Sequence, residues 1–354
     1  MKGRSGSRTE AMDKKEFVLK AVADKKDLIV EVSDKIFDYA ETGFHEFKTA
    51  KLYEDVLKKE GFQVEMGVGG MPTAFKATYG TEKPVIGFLA EYDALPELSQ
   101  EGGCTMRKKA EGENPDGHGC GHNLLGAGAM AAALAVKAYL EEHPEAGSVV
   151  LFGCPSEEKG DGKAIMAREG IFDGVDAAFT WHPGDKNEIW SESTLANVSV
   201  FFNFKGVTSH AAAAPELGRS ALDAAELMSV GVNYLREHII SDARIHYAYR
   251  DVGGIAPNVV QGHSRVHYFI RAPKSWQVKE IYRRVVDVAE GAAKMTGTEM
   301  TYELYAGLSD YIPNHVLSEV LHESMMIYHS QLPHYVRQPS VSFQDPVRNK
   351  ASTR

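Results

Sequence analysis

Residues 85–96 read VIGFLAEYDALP, an apolar run closed by two carboxylates, Glu91 and Asp93. The run is too short for a helix, which takes about 10 residues or more, and its β-branched and aromatic content fits a buried strand. In open α/β sheets, ligands bind at the carboxyl ends of the strands, which is where these two acids fall. The same arrangement recurs downstream. VVLFGCPSEE (149–158) ends in Glu157 and Glu158, and AAFTWHPG (177–184) leads into His182. An alanine-rich helix is predicted between the first two runs, over Leu124 to Leu140, and helical spacing precedes them through Val30, Val32, Ile36, Phe37, Leu52, Val56 and Leu57. Strands alternating with helices predict an α/β domain with a largely parallel, mixed sheet.

Just before the alanine-rich helix stands GHGCGHN (117–123), with His118, Cys120 and His122 inside five positions. Cys120 and His122 are two apart, so an extended segment would point both to one side. The flanking glycines allow close approach of backbone and ligand. Adjacent Glu157 and Glu158 should diverge, one towards a metal and one towards a substrate. Metal-assisted hydrolysis needs that division, because the ion lowers the pKa of a water and a carboxylate takes its proton. Thiolate, imidazole and carboxylate together suit Zn²⁺ or another first-row divalent ion. Each residue alone has a plainer reading: a buried cysteine as filler, a glutamate pair as a solvated face, a histidine before proline as part of a turn. Their joint placement at the ends of three strands favours a metal site.

From residue 196 the pattern changes. NVSVFFNFKG (197–206) alternates like a half-buried strand, a helix is predicted over 218–239, and strands over 244–254 and 264–273. A helix at about 275–295 and a strand at about 298–304 complete a βαββαβ order, the ferredoxin-like arrangement. The expected organisation is a disordered extension (1–12), a first catalytic part (13–195), an inserted α+β domain (196–306) and a resumed catalytic part (307–354) with a helix near 313–330.

The chain has 354 residues, enough for about two domains. Hydrophobic content of 43% and charged content of 25% are ordinary for a soluble globular protein. A formal charge of −10 without clustered Lys and Arg argues against a nucleic-acid partner, while leaving room for a small anionic substrate. No apolar run reaches about 18 residues, so no membrane span is expected. The start lacks the apolar core of a signal peptide. Three cysteines, an odd number, suit a reducing cytoplasm, and a cytoplasmic location is expected.

GHGCGHN, with AEYDALP before it and CPSEE and WHPG after it, resembles the M20 metallopeptidase family, and within it the amidohydrolase branch. The resemblance runs from about residue 25 to 315 and extends through SHAAAAPELGRSALDA (209–224) and GGIAPNVVQ (253–261). It implies a catalytic domain holding two divalent ions, Zn²⁺ or Mn²⁺, and a lid domain that dimerises with the same chain or a related subunit. Carried onto this sequence, Cys120, His122, Glu158 and His182 resemble metal ligands, with the thiolate bridging, and Glu157 the general base. Asp93 resembles the carboxylate behind the ligands, and Glu91 stands where other branches keep a metal histidine. His118 matches no ligand. His210 resembles a histidine that reaches a neighbouring subunit's site and holds the oxyanion. Asn258 and Arg271 match positions that hold the substrate's backbone or carboxylate. Each of these three has a plainer reading too: helix entry for His210, a turn for Asn258, a strand-end charge for Arg271. The implied reaction is hydrolysis of the amide of an N-acyl amino acid, with a dipeptidase as the near alternative. After about residue 315 the resemblance fades, where the family continues to a last metal histidine. His315, His322, His329 and His334 read as a polar helix flank rather than its substitutes. An impaired homologue acting only through dimerisation or ligand binding is the alternative of another class.

Overall fold

The computed structural model describes residues 16–160 and 162–329; the expected extension at 1–12, the tail from 330 and His334 lie outside them. The chain divides into two compact units between Asp185 and Lys186.

In the first unit, α1 (Lys26–Tyr39) and α2 (Phe47–Lys59) precede β1 (Gln63–Met66), β2 (Phe75–Tyr79) and β3 (Val85–Glu91). Next come α3 (His122–Glu142), β4 (Ser148–Cys154), the short α4 (Gly162–Arg168) and β5 (Ala177–Phe179). The sheet order is β1-β2-β4-β3-β5. β3 runs parallel to β4 and β5, so the three strands read from the sequence form the parallel part of the sheet. β2 pairs antiparallel with both β4 and β1, which makes the sheet mixed. β4 is buried at every position, as a central strand covered on both faces requires.

The core beside this sheet joins Val32 and Ile36 of α1, Tyr53 and Leu57 of α2, and Met130, Ala133 and Leu134 of α3. Tyr53, Phe75 and Tyr92 form a ring cluster with centroids 5.3 to 6.0 Å apart. Small residues let α3 lie close to the sheet. At Gly126 an added Cβ would overlap Tyr53 Oη and sit 2.6 Å from the Glu91 carbonyl oxygen. By length and composition α3 is apolar enough to cross a membrane, but here it is a core helix, with Leu125, Met130, Ala133 and Leu134 buried.

The second unit follows the βαββαβ order: β6 (Ala196–Lys205), α5 (Ala221–Leu235), β7 (Arg244–Asp251), β8 (His263–Ala272), α6 (Ser275–Thr296) and β9 (Glu299–Leu308). Its strands pair antiparallel in the order β7-β8-β6-β9. Alternation decides the faces. Val200, Phe202, Phe204, Val266, Tyr268 and Ile270 form one core with Ala224 and Met228 of α5 and Val285 and Ala289 of α6. Phe201 and His267 stack on the other face with ring centroids 4.0 Å apart. A last helix, α7 (His315–His329), follows.

Candidate metal centre

Three neighbouring parallel strands end on one side of the first unit's sheet. β3 delivers Glu91 and, two residues on, Asp93; β4 delivers Glu157 and Glu158; β5 leads to His182. The amino end of α3 brings His122, with Cys120 two residues ahead. Cys120 and His122 do not lie on an extended segment as expected. The chain turns there: Gly121 takes φ +78° and donates its N–H to the His118 carbonyl, and His122 already opens the helix. A left-handed residue between them is what glycine supplies without strain, and the turn still brings Cys120 and His122 together.

His122 is fully buried and organises the site. Its Nδ1 donates to Asp93, 2.9 Å to Oδ1 and 3.1 Å to the carbonyl oxygen. Asp93 Oδ2 accepts the Glu158 N–H at 2.9 Å, so one carboxylate orients both the imidazole and the glutamate turn. Burial alone would raise the Asp93 pKa, but these donated hydrogen bonds outweigh it and hold the carboxyl below its usual range. With Nδ1 engaged, Nε2 faces Glu91 Oε2 at 3.2 Å, Glu157 Oε2 at 3.7 Å and Glu158 Oε1 at 4.0 Å. On the far side of the cluster His182 Nδ1 donates to the Pro183 carbonyl at 2.8 Å, and Nε2 lies 3.2 Å from Cys120 Sγ. The preceding Trp181 is pinned by its Nε1–H to the Leu125 carbonyl of α3 at 3.0 Å.

The cluster contains three buried polar atoms without a hydrogen-bond partner: His122 Nε2, Glu91 Oε2 and Glu158 Oε1. An unpaired buried polar atom costs about 1–3 kcal/mol, and more if charged. Glu91 Oε2 and Glu158 Oε1 lie 3.2 and 4.0 Å from His122 Nε2, an arrangement that calls for a cation there. Two groups are placed to hold a metal ion, Cys120/His122/His182 and Glu91/His122/Glu157, each with ligand atoms within 4.8 Å of one another. The donor set of thiol, imidazole and carboxylate fits a first-row divalent ion. Without an ion, burial and the clustered negative charge favour the protonated forms. Burial pushes the His122 pKa down, but Asp93, Glu91 and Glu158 outweigh it and raise it. Burial and then the Glu158 charge push the Cys120 thiol up to about 12. Glu157 is raised by burial and by the Glu91 charge. A bound divalent ion reverses this logic and favours the deprotonated ligands.

Two residues absent from the sequence-based site belong to it here. Glu91, read from the sequence as a strand-end acid standing where other branches keep a metal histidine, joins the cluster, and Lys163 of α4 pairs with its other oxygen at 2.5 Å. Burial lowers the Lys163 pKa, but the Glu91 charge outweighs it and keeps the ammonium charged. His118 stands apart, bonding the Ile36 carbonyl at 2.9 Å.

His210, Asn258 and Arg271 lie in the second unit. His210 is exposed, and its Nδ1 accepts the N–H groups of Ala212 and Ala213 at 3.2 and 3.1 Å. Next to it the Ala211 N–H donates to the Asn258 carbonyl at 2.9 Å, so the His210 and Asn258 segments pair. Arg271, near the end of β8, sets its guanidinium 5.4 Å from the Phe269 ring centroid. His315 and His322 lie on α7, as does the backbone of His329.

The protein-family model for peptidase family M20/M25/M40 matches residues 87–325. The chain is 48% identical over 310 residues to one of the subunits of p-aminobenzoyl-glutamate hydrolase from Escherichia coli (strain K12), covering 87% of this chain and 64% of that relative. It is 33% identical over 267 residues to an Xaa-Arg dipeptidase of Mus musculus, covering 72% of this chain and 57% of that relative. The chain thus spans less than two thirds of the length of these curated relatives. Among solved structures, an aminobenzoyl-glutamate utilization protein from Klebsiella pneumoniae matches with a TM-score of 0.69 at 19% identity, over 93% of this chain and 86% of that one. A dinuclear metal binding peptidase of the M20 family from Bacillus subtilis matches with a TM-score of 0.60 at 18% identity, over 92% and 84%. At these identities the structural matches speak for the fold, and the family match over most of the chain speaks for descent: the chain belongs to peptidase family M20/M25/M40.

Proposed function

We propose that this chain acts as a metal-dependent amidohydrolase on N-acyl or N-aroyl amino acids of the p-aminobenzoyl-glutamate type, releasing the acid and the amino acid. The observation that carries the reading is His122 Nε2, buried without a hydrogen-bond partner, with the likewise unpartnered Glu91 Oε2 and Glu158 Oε1 at 3.2 and 4.0 Å and with Cys120 and His182 grouped around it. The 48% identity to a p-aminobenzoyl-glutamate hydrolase polypeptide supports the substrate class.

Cys120, His122, Glu158 and His182 would hold two divalent ions, Zn²⁺ or Mn²⁺, with Glu91 beside them. When bound, the ions supply Lewis acidity, lowering the pKa of a water and polarising the amide carbonyl. Glu157 is proposed for the proton work: its side chain is 41% exposed, open to an incoming substrate, and from there it would accept a proton and return it to the leaving amine. Asp93 fixes the His122 tautomer. Asn258 and Arg271 are proposed to hold the amino acid's carboxylate, and His210 to stabilise the oxyanion in the site of a second copy or a related subunit, with the second unit as lid and dimerisation domain. A cytoplasmic setting fits the free cysteines Cys104, Cys120 and Cys154. A dipeptidase is the second reading, favoured by the Xaa-Arg dipeptidase match.

The test joins elemental analysis after dialysis against metal-free buffer with hydrolysis assays on p-aminobenzoyl-glutamate, N-acetyl amino acids and Xaa-Arg dipeptides. About two first-row ions per chain and release of p-aminobenzoate support the proposal. Faster cleavage of the dipeptides moves the assignment to the second reading. A chain that retains ions yet hydrolyses none of these is a binding homologue.

A further inference from the structure

We infer that Glu46 is a positioning residue for the turn carrying Glu157 and Glu158, an inference that rests on the roles proposed above for those two glutamates. Glu46 stands at the amino end of α2 but does not cap that helix with its side chain. The carboxylate is completely buried and reaches across to two other segments. Its Oε1 accepts the Ser156 N–H at 2.9 Å, and its Oε2 accepts the Thr73 hydroxyl at 2.9 Å. Thr73 is held in turn, because its carbonyl accepts the Tyr92 hydroxyl at 2.6 Å.

Ser156 is the residue that needs holding. It is fully buried and takes φ +56°, a left-handed conformation that a residue with a Cβ rarely adopts outside an over-determined setting. It lies between the end of β4 and Glu157, so its backbone angles set the direction in which both glutamates leave the strand. Two buried carboxylates fasten this turn from opposite ends, Glu46 on the Ser156 N–H and Asp93 on the Glu158 N–H. Asp93 belongs to the cluster itself. Glu46 touches no candidate ligand and acts only through the backbone. Packing alone does not account for a buried carboxylate here, since burying a charge without a task for it is unfavourable. A charge-assisted hydrogen bond to a strained amide is such a task.

The experiment compares Glu46→Leu, which keeps volume and removes both acceptors, with Glu46→Gln, which keeps an acceptor for the Ser156 N–H. Each is made alone and in combination with Ser156→Gly, because glycine adopts φ +56° without a clamp. Calorimetric titration with Mn²⁺ and with Zn²⁺ gives the binding readout, and kcat and KM on p-aminobenzoyl-glutamate the kinetic one. Glu46→Leu is expected to weaken at least one ion about tenfold or more and to lower kcat at saturating metal by a similar factor or more, with KM changed less than about threefold. Glu46→Gln should restore most of both, and Ser156→Gly should make Glu46→Leu far less harmful. A merely structural role predicts a lower melting temperature with unchanged ion affinity and unchanged kcat per folded chain. A Glu46→Leu chain with wild-type ion affinity, or a Ser156→Gly background that rescues nothing, overturns the inference while leaving the proposed function standing. A wild-type chain that binds neither ion overturns both.

Discussion

At the scale of single residues, Glu157 and Glu158 differ in what surrounds them rather than in what they are. Glu158 Oε1 is buried and its N–H is tied to Asp93, whereas the Glu157 side chain is 41% exposed. The expected outcome of Glu157→Gln is therefore a loss of turnover of about 10²- to 10⁴-fold, the usual worth of a general acid–base group, with the ion content unchanged. Turnover within about tenfold of wild type would remove Glu157 from the role of base. Glu46 supplies a pH dependence. Burial raises its pKa above the ordinary carboxyl value, against the pull of the amide and hydroxyl donors. Between the unfolded and the raised folded pKa the native state holds the extra proton, so stability falls as pH rises through that window. Urea unfolding of the metal-free chain across a pH series should show that decline, and Glu46→Gln should flatten it. Equal slopes for the two chains would mean that Glu46 titrates normally.

At the scale of elements, what the sequence made legible was whatever has a strong period or a long apolar run. β3, β4, α3 and the alternating strands of the second unit were placed within a few residues. The hairpin strands β1 and β2 were not, because QVEM and FKATY are short and half polar, and their place in the sheet depends on pairing with β4. α4 went unread for the same reason: seven residues give less than two full periods, so Lys163 had no visible context. The turn at Gly121 shows a different limit. Spacing said that Cys120 and His122 share a side, but a left-handed glycine followed by a helix start reaches that result by another backbone path. The contact of α3 with β3 carries its own prediction. Gly126→Ala would force a methyl group against the Glu91 carbonyl and the buried Tyr53, and overpacking of this kind costs about 1–3 kcal/mol. Because the strain falls on Glu91, ion affinity should drop together with the melting temperature. A stable variant with full affinity would show that α3 can shift away freely.

At the scale of the whole molecule, the division into two units follows from cores that share no residue. Phe202, Tyr268 and Val285 belong to one, and Tyr53, Phe75 and Leu151 to another. All seven clustered site residues, Glu91, Asp93, Cys120, His122, Glu157, Glu158 and His182, lie in the first unit. An ion that binds the native state alone stabilises it by about 2.7 kcal/mol at 100 times its Kd. Scanning calorimetry should therefore resolve two transitions, and a chelator should lower only the one belonging to the first unit. If both transitions move together, the units are coupled. The sequence already put all seven in the first catalytic part; what it could not supply is that β3 lies between β4 and β5 in the sheet, because strand neighbours follow from pairing rather than from any local pattern.

His122 belongs to both groups of candidate ligands, yet its Nδ1 is committed to Asp93 and only one lone pair remains, on Nε2. One lone pair serves one ion. If ions occupied both groups, whichever ion took it would leave the other without that imidazole, so the two positions would be inequivalent and would fill in sequence. An isotherm with two separated steps is the expected form, and an intermediate stoichiometry would leave the chain half-loaded and short of its second Lewis acid. Metal supply would then act as a graded control on the fraction of chains competent to turn over.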